Sequence, residues 1–78
     1  MDPQSLLEFM VKALVDHPDD IQIKTVEGEK TAIIELKVHN EDIGKVIGKE
    51  GRIAMAMRTL LSAVTSKEGK RIKLEILD

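Results

Sequence analysis

The sequence predicts a small α+β domain of two layers, in which three helices pack on one face of a three-stranded mixed sheet. Two observations support this prediction. Three short segments, at residues 21–25, 34–38 and 72–76, alternate apolar and polar residues, which is the period of a half-buried strand. Three other segments repeat apolar residues every three or four positions, as amphipathic helices do. Their order is αββααβ, and a chain of 78 residues is predicted to form one domain, residues 1–78.

The first helix is predicted to begin at Asp2 and Pro3. A carboxylate can accept the unpaired amides of a first helical turn, and proline is tolerated there. The helix should end before Pro18, because proline disfavours helix at the residue that precedes it. Its apolar residues follow at helical spacing: Leu6, Leu7, Met10, Val11 and Leu14.

The next two strands are predicted to form an antiparallel hairpin. The polar segment 27–30 joins them and contains a glycine, as hairpin turns commonly do. The alternation places the apolar residues of both strands on one face, which then needs a helical cover. These residues are Ile21, Ile23 and Thr25 in the first strand, and Ile34, Leu36 and Val38 in the second.

The second half of the chain is predicted to hold two successive helices and a last strand. Asn40 is a suitable N-cap for the first helix, which carries Ile43, Val46 and Ile47. The second helix, at about residues 52–65, has an apolar side formed by Ile53, Ala56, Met57, Leu60, Leu61 and Val64. A loop at 66–70 precedes the last strand, which should lie parallel to the second strand because such crossovers are right-handed.

The net charge of −2 is unevenly distributed. Residues 1–42 hold four Lys or Arg against ten Asp or Glu, whereas residues 43–78 hold eight against four. This asymmetry can focus a positive field on one face of the molecule. The two halves can equally well neutralise each other across the fold, so charge alone does not identify a binding surface.

The composition excludes several classes of protein. Phe9 is the single aromatic residue, so a binding surface built from several stacking rings, such as that of an RRM, is excluded. The absence of cysteine excludes a disulfide framework and thiolate metal sites. The chain begins without a basic and apolar leader and has no run of 18 apolar residues, which predicts a cytoplasmic protein with no membrane insertion.

No catalytic motif is evident. Gly44 and Gly48 are too close for a P-loop, and Lys49 is followed by Glu50 instead of the required Ser or Thr. The dinucleotide pattern fails because position 46 is valine. The two histidines, His17 and His39, stand at predicted element ends, where a solvated cap or turn is the usual role. We therefore predict a protein that is not an enzyme and that has no cofactor and no metal site.

The most informative motif is Gly48-Lys49-Glu50-Gly51, which separates the two predicted central helices. Glycine lets the backbone bend tightly and approach a ligand closely. Amides in the first turn of the following helix would then point outwards, and the lysine adds a positive charge. This pattern predicts a turn that grips phosphate. The alternative is a helix-to-helix turn with no ligand.

The segment 43–54, read Ile-Gly-Lys-Val-Ile-Gly-Lys-Glu-Gly-Arg-Ile-Ala, resembles the signature of KH domains. The order of elements resembles the bacterial type II KH arrangement, and the chain is most similar to the small single-KH-domain RNA-binding proteins of the KhpA-like family. The resemblance implies that about four nucleotides of single-stranded RNA lie beside the two central helices and the neighbouring strand. The implied RNA-binding residues are Gly44, Lys45, Val46, Ile47, Gly48, Lys49, Glu50, Gly51 and Arg52.

The resemblance also implies a role and partners. The role is that of an RNA chaperone or post-transcriptional regulator, and the partners are a second copy of the chain or a second, larger KH-domain protein. The exposed side of the last helix, around Met55, Arg58, Thr59 and Ser62, is a candidate contact surface.

Two features leave an alternative open. Glu50 places a carboxylate inside the turn, where it would repel phosphate, and Ala54 stands where many KH domains have isoleucine. Ile43 and Ile47 are also more typical of core positions than of base contacts. The chain could therefore be a protein-interaction module that retains the KH fold with little direct RNA contact. The residues of the loop and last strand, Lys67, Lys70, Arg71 and Lys73, either extend the RNA path or form a solvated edge.

Overall fold

The computed structural model describes residues 2–67 and 69–77, so Glu68 of the predicted loop lies outside the described residues. It contains three α-helices, three strands and three 3-10 turns in the described part of the chain. The helices are α1 (Pro3–Leu14), α2 (Ile43–Ile47) and α3 (Arg52–Ser66), and the strands are β1 (Gln22–Glu27), β2 (Thr31–Lys37) and β3 (Arg71–Ile76). The 3-10 turns are Pro18–Asp20, Asn40–Asp42 and Lys49–Gly51.

The sheet has the order β1-β2-β3, with β2 in the centre. β1 runs antiparallel to β2, with Thr25 opposite Ile34. β3 runs parallel to β2, with Leu74 opposite the same Ile34. The predicted α+β architecture, its mixed three-stranded sheet and its αββααβ order are confirmed, and they agree with a type II KH fold.

One face of the sheet and the inner faces of the three helices form the hydrophobic core. Buried and more exposed residues alternate along β2, and every second residue of a strand points to the same face, so Ile34 and Leu36 both reach the core. The fully or nearly fully buried core residues are Leu7, Val11, Ile34, Leu36, Val38, Val46, Met57, Leu61 and Leu74. No helix in the described ranges is long and apolar enough to cross a membrane.

The buried face of α3 agrees with the prediction at Met57 and Leu61 and differs from it at other positions. The helix buries Ala54, Met57, Leu61 and Thr65, whereas Leu60 is 49% exposed. Ala56 is exposed as well. Thr65 can be buried because its hydroxyl donates a hydrogen bond to the backbone oxygen of Leu61 over 3.0 Å. The apolar residues that remain outside the core are available for other contacts.

The start of α2 also differs from the prediction. The chain enters α2 through the 3-10 turn Asn40–Asp42, and the residue that caps this turn is His39, not Asn40. The Nδ1 atom of His39 accepts a hydrogen bond from the backbone amide of Glu41 over 3.0 Å. At the other end of the chain, Asp2 occupies the N-cap of α1, but its carboxylate forms no capping hydrogen bond.

Candidate nucleic-acid interface

The Gly48–Gly51 turn has a backbone that glycine makes possible. Gly48 has φ 78° and Gly51 has φ 75°, values that residues with a Cβ rarely adopt. A Cβ atom on Gly48 would lie 2.6 Å from Cγ1 of Ile53, whereas one on Gly51 would meet nothing within 4 Å. Gly48 is therefore required by both conformation and space, and Gly51 by conformation.

Hydrogen bonds hold the two ends of this turn. The amide of Gly48 donates to the oxygen of Gly44 over 2.9 Å, and the amide of Gly51 donates to the oxygen of Gly48 over 3.1 Å. The amides of Lys49 and Glu50, at the tip, take no part in these bonds, and both residues are exposed. The tip therefore presents neighbouring N–H groups beside a lysine, an arrangement that suits an anion.

The acidic side chain at the tip, Glu50, forms an ion pair with the first residue of α3, Arg52. Nη2 of Arg52 lies 3.7 Å from Oε2 of Glu50, and the side chains are 76% and 66% exposed. This ion pair turns the carboxylate of Glu50 towards Arg52. Since both groups are largely in solvent, the pair is weak, and an incoming phosphate can compete for Arg52.

Asp42 is a buried charged residue near the turn, and it was not among the site residues predicted from the sequence. Its side chain is 0% exposed and lies directly before α2. The backbone amides of Asp16 and His17 donate to its two oxygens over 3.2 and 2.9 Å. Nδ1 of His17 lies 3.0 Å from Oδ2, and Nζ of Lys45 lies 3.4 Å from Oδ1. Asp42 thus joins the connection after α1 to the helix that leads into the turn.

These contacts set the ionisation of Asp42 and Lys45. Burial on its own raises the pKa of Asp42, but the hydrogen bonds from Asp16, His17 and Lys45 outweigh burial and lower it from 3.8 to about 2. A hydrogen bond to Asp16 raises the pKa of Lys45, and Asp42 adds to this effect against the opposing influence of burial. Lys45 was predicted to add positive charge beside the turn, but its ammonium group binds the carboxylates of Asp16 and Asp42.

Two histidines lie next to Asp42. The rings of His17 and His39 stack with their centroids 3.9 Å apart and their planes 14° from parallel. One ligand atom of each histidine and one of Glu41 lie within 4.8 Å of one another. In stacked rings the nitrogen lone pairs point along parallel planes and do not converge on one point, so we assign no metal ion to this cluster.

The apolar residues of the predicted site divide into two groups. Val46 is fully buried and belongs to the core. Ile47 is partly buried and remains accessible at the end of α2. Gly44 is exposed, and a Cβ atom there would meet nothing within 4 Å. The surface beside the turn is therefore formed by Gly44 and Ile47, with Val46 beneath it.

A free strand edge lies on the β3 side of α3. The amides of Arg71 and of Leu77, the residue after β3, donate to the backbone oxygens of Lys30 and Leu36, so the odd-numbered residues of β3 bond towards β2. The backbone groups of the intervening residues, including Leu74, point away from β2. Nη2 of Arg58 donates to the oxygen of Leu74 over 3.3 Å. Arg58 thus links α3 to the free edge of the sheet.

An apolar groove of about 420 Å³ lies on the opposite side of α3, between α3 and α1. Phe9 stands beside it with 70% exposure, and Leu60 with 49%. The other apolar residues that line it are Met10, Ala13, Leu14, Ile53, Ala56 and Met57. We call this feature the α1–α3 groove. The sequence contained the signal for it, because Ile53, Ala56 and Leu60 form an apolar stripe, but that stripe was attributed to the core.

Comparison with known proteins identifies relatives over nearly the whole chain. Residues 4–76 match the family described as KhpA/KhpB, KH domain. The "RNA-binding protein KhpA" of Borreliella burgdorferi is 53% identical over 73 residues, which cover 94% of this chain and 89% of the relative. The protein of the same description from Clostridium acetobutylicum is 54% identical over 74 residues, covering 95% and 99%. That from Aquifex aeolicus is 51% identical over 75 residues, covering 96% and 95%. The chain therefore belongs to the KhpA/KhpB family of KH domains.

Proposed function

We propose that this protein binds single-stranded RNA without catalysing a reaction on it, as an RNA chaperone or post-transcriptional regulator. The observation that carries the proposal is the Gly48–Gly51 turn, whose tip residues Lys49 and Glu50 are exposed and whose tip amides take no part in the hydrogen bonds that hold its ends. Relatives that match along nearly the whole chain are named RNA-binding proteins. This function implies a cytoplasmic location.

In this proposal the turn binds a phosphate of the RNA backbone, and the bases lie beside it. The amides of Lys49 and Glu50 donate to the phosphate, and Arg52 joins them when phosphate displaces Glu50. Gly44 permits close approach, and Ile47 supplies an apolar contact for a base. Recognition of the backbone by a glycine-rich turn is insensitive to base identity, which favours broad sequence specificity.

The test is a fluorescence-anisotropy titration with mixed-sequence single-stranded RNA at two salt concentrations. The variant is the double substitution Lys49→Asp, Glu50→Asp, which makes the turn anionic. The matched control is Glu29→Asp, Lys30→Asp, which makes the same change of charge in the exposed β1–β2 turn. Circular dichroism checks that both variants fold.

We expect the Lys49 and Glu50 variant to lose salt-sensitive affinity and the control to keep it. Phosphate contacts give a log-log salt slope of about −0.7 for each phosphate of a single strand. Equal binding by the wild type and both variants would show that the turn is not the phosphate clamp. It would favour the alternative function, a protein-interaction module on a KH fold.

We further propose that RNA binding involves two copies of the chain. A single small site binds RNA weakly, and a second linked site increases the overall affinity without any new contact. The α1–α3 groove supports a second copy as its occupant, because an exposed aromatic side chain, Phe9, stands directly beside an apolar recess. A two-fold arrangement would place each Phe9 against the groove of the other copy. Pairing with a larger KH-domain protein would use the same surface.

The contact surface predicted from the sequence lies on the other side of α3. Arg58 points towards β3, and Met55 and Ser62 share its face because residues three or four apart are neighbours on a helix. This face adjoins the edge of β3, which we take as the strand next to the two central helices where the RNA is expected to lie. We therefore assign the β3 side of α3 to RNA and the α1 side to a second copy.

A further inference from the structure

Glu50 is an unusual residue in the Gly48–Gly51 turn. Its φ is 57°, and it is the single residue other than glycine with positive φ among residues 2–67 and 69–77. That conformation is disfavoured for a residue with a Cβ, and asparagine or glycine would adopt it more readily. The turn therefore holds an acidic side chain at its tip at a position where the backbone conformation favours other residues.

The charges around the tip are nearly balanced. The carboxylate of Glu50 lies 3.7 Å from the guanidinium of Arg52. Lys45, the next cation along α2, binds Asp16 and Asp42. Lys49 is therefore the cation in this segment that forms no ion pair with a carboxylate of the described residues. The turn thus offers about one uncompensated positive charge to a ligand.

We propose that Glu50 makes the turn selective for the phosphodiester in the interior of an RNA over the phosphomonoester at an RNA end. The inference rests on the proposed function, in which the turn binds phosphate. A phosphodiester carries one negative charge, whereas a phosphomonoester carries between one and a half and two at neutral pH. The cations of the turn attract both ligands, and the carboxylate of Glu50 repels the additional charge of the phosphomonoester.

The size of the effect follows from the exposure of Glu50. A unit charge about 6 Å from a carboxylate in water-like surroundings changes affinity by about threefold at low salt. Screening reduces this effect as ionic strength rises. Glu50 therefore acts on the preference between the two classes of phosphate. Replacing Glu50 by Gln should preserve the fold, because the side chain is 66% exposed.

The test uses two ligands that carry a single phosphate each and differ in its charge. They are uridine 5′-monophosphate and its methyl ester, uridine 5′-(methyl phosphate). Nuclear magnetic resonance titrations at low salt follow the backbone amides of Lys49 and Gly51. The proteins are the wild type, Glu50→Gln, and Glu29→Gln as a control that removes a carboxylate from the other exposed turn.

We expect Glu50→Gln to shift the ratio of the two affinities by about two- to threefold towards the monoester, relative to the wild type. Glu29→Gln should leave the ratio unchanged. An unchanged ratio in Glu50→Gln, or an equal shift in the control, would overturn the proposed selectivity while leaving the phosphate clamp intact. Failure of both ligands to move the amides of the turn would overturn the clamp itself, and the selectivity with it.

Discussion

Nδ1 of His17 lies 3.0 Å from the buried Oδ2 of Asp42, across 25 positions of sequence. The contact fixes the connection between α1 and β1 against the start of α2. Since α2 leads directly into Gly48, this contact helps to set the position of the Gly48–Gly51 turn. Asp42 is the shared partner in this arrangement, and its ionisation can be tested.

The stability of the protein should fall as the pH is lowered from about 4 to about 2. The pKa of Asp42 is lowered from 3.8 to about 2 in the folded protein. A group with a depressed folded pKa stabilises the fold above its unfolded pKa, and this contribution disappears as the pH falls through the folded pKa. Urea unfolding followed by circular dichroism measures the effect.

Other carboxylates also titrate in this range, so the comparison is with Asp42→Asn. The asparagine variant should be less stable than the wild type at pH 7, because an amide cannot accept all four of these hydrogen bonds as a carboxylate does. The difference between the two proteins should narrow towards pH 2. A difference that is the same at pH 7 and pH 2 would show that the charge of Asp42 does not stabilise the fold.

Gly48→Ala should destabilise the fold by about 1–3 kcal/mol, the usual range for a residue held in a sparsely populated backbone conformation. The positive φ and the close approach to Ile53 both contribute. Gly44→Ala is the matched control, because it also lies beside the turn but a Cβ there meets nothing within 4 Å. Alanine should be neutral or slightly stabilising at that helical position. Equal losses of stability in urea unfolding would contradict this account.

Lys49 and Lys45 should differ in their effects on RNA binding. Lys49→Met should weaken binding and reduce the log-log salt slope by about 0.7, the value for one phosphate contact to a single strand. Lys45→Met should leave the slope unchanged and lower stability, because the ammonium of Lys45 binds Asp16 and Asp42. Anisotropy titrations and urea unfolding of both variants provide the comparison. A larger loss of slope in Lys45→Met would place the phosphate contact on α2.

The proposed pairing of two copies predicts that Leu60→Lys shifts the protein from dimer to monomer, because the lysine places a charge in the α1–α3 groove. Val26→Lys is the control, since Val26 and Leu60 are both 49% exposed but Val26 lies on β1. Sedimentation velocity measures the mass of each variant over a range of concentrations. A monomeric wild type, or the same mass in all three proteins, would be incompatible with pairing through this groove.

The order and type of the secondary structure could be predicted because each element carries a clear period in the sequence. The buried face of α3 could be predicted only in part: Met57 and Leu61 are buried as predicted, whereas Leu60 is exposed. Ile53, Ala56 and Leu60 form one apolar stripe at helical spacing, and Ala54, Met57 and Leu61 form another. Periodicity ranks the two equally, and only the position of α3 over the sheet decides which of them is buried.

The turn itself could be predicted from its glycines, but the charges around it could not. Lys45 appeared available for RNA because one of its two partners, Asp16, lies 29 positions away in the sequence. The burial of Asp42 could not be predicted either, because nothing in the neighbouring sequence indicates that two backbone amides from the connection after α1 donate to its oxygens. Contacts of this kind are set by tertiary structure.

The pairing of β3 with the central strand has a consequence for synthesis of the chain. β2 bonds to β1 through a short hairpin turn, but its other neighbour comes from the C-terminal end of the chain. Contacts between segments so distant in sequence form late in folding. We expect a nascent chain that ends before Arg71 to remain sensitive to protease on the ribosome, because one edge of β2 is still open. Resistance should develop only when β3 has left the exit tunnel, so the sheet should stay incomplete while β3 is still inside the ribosome.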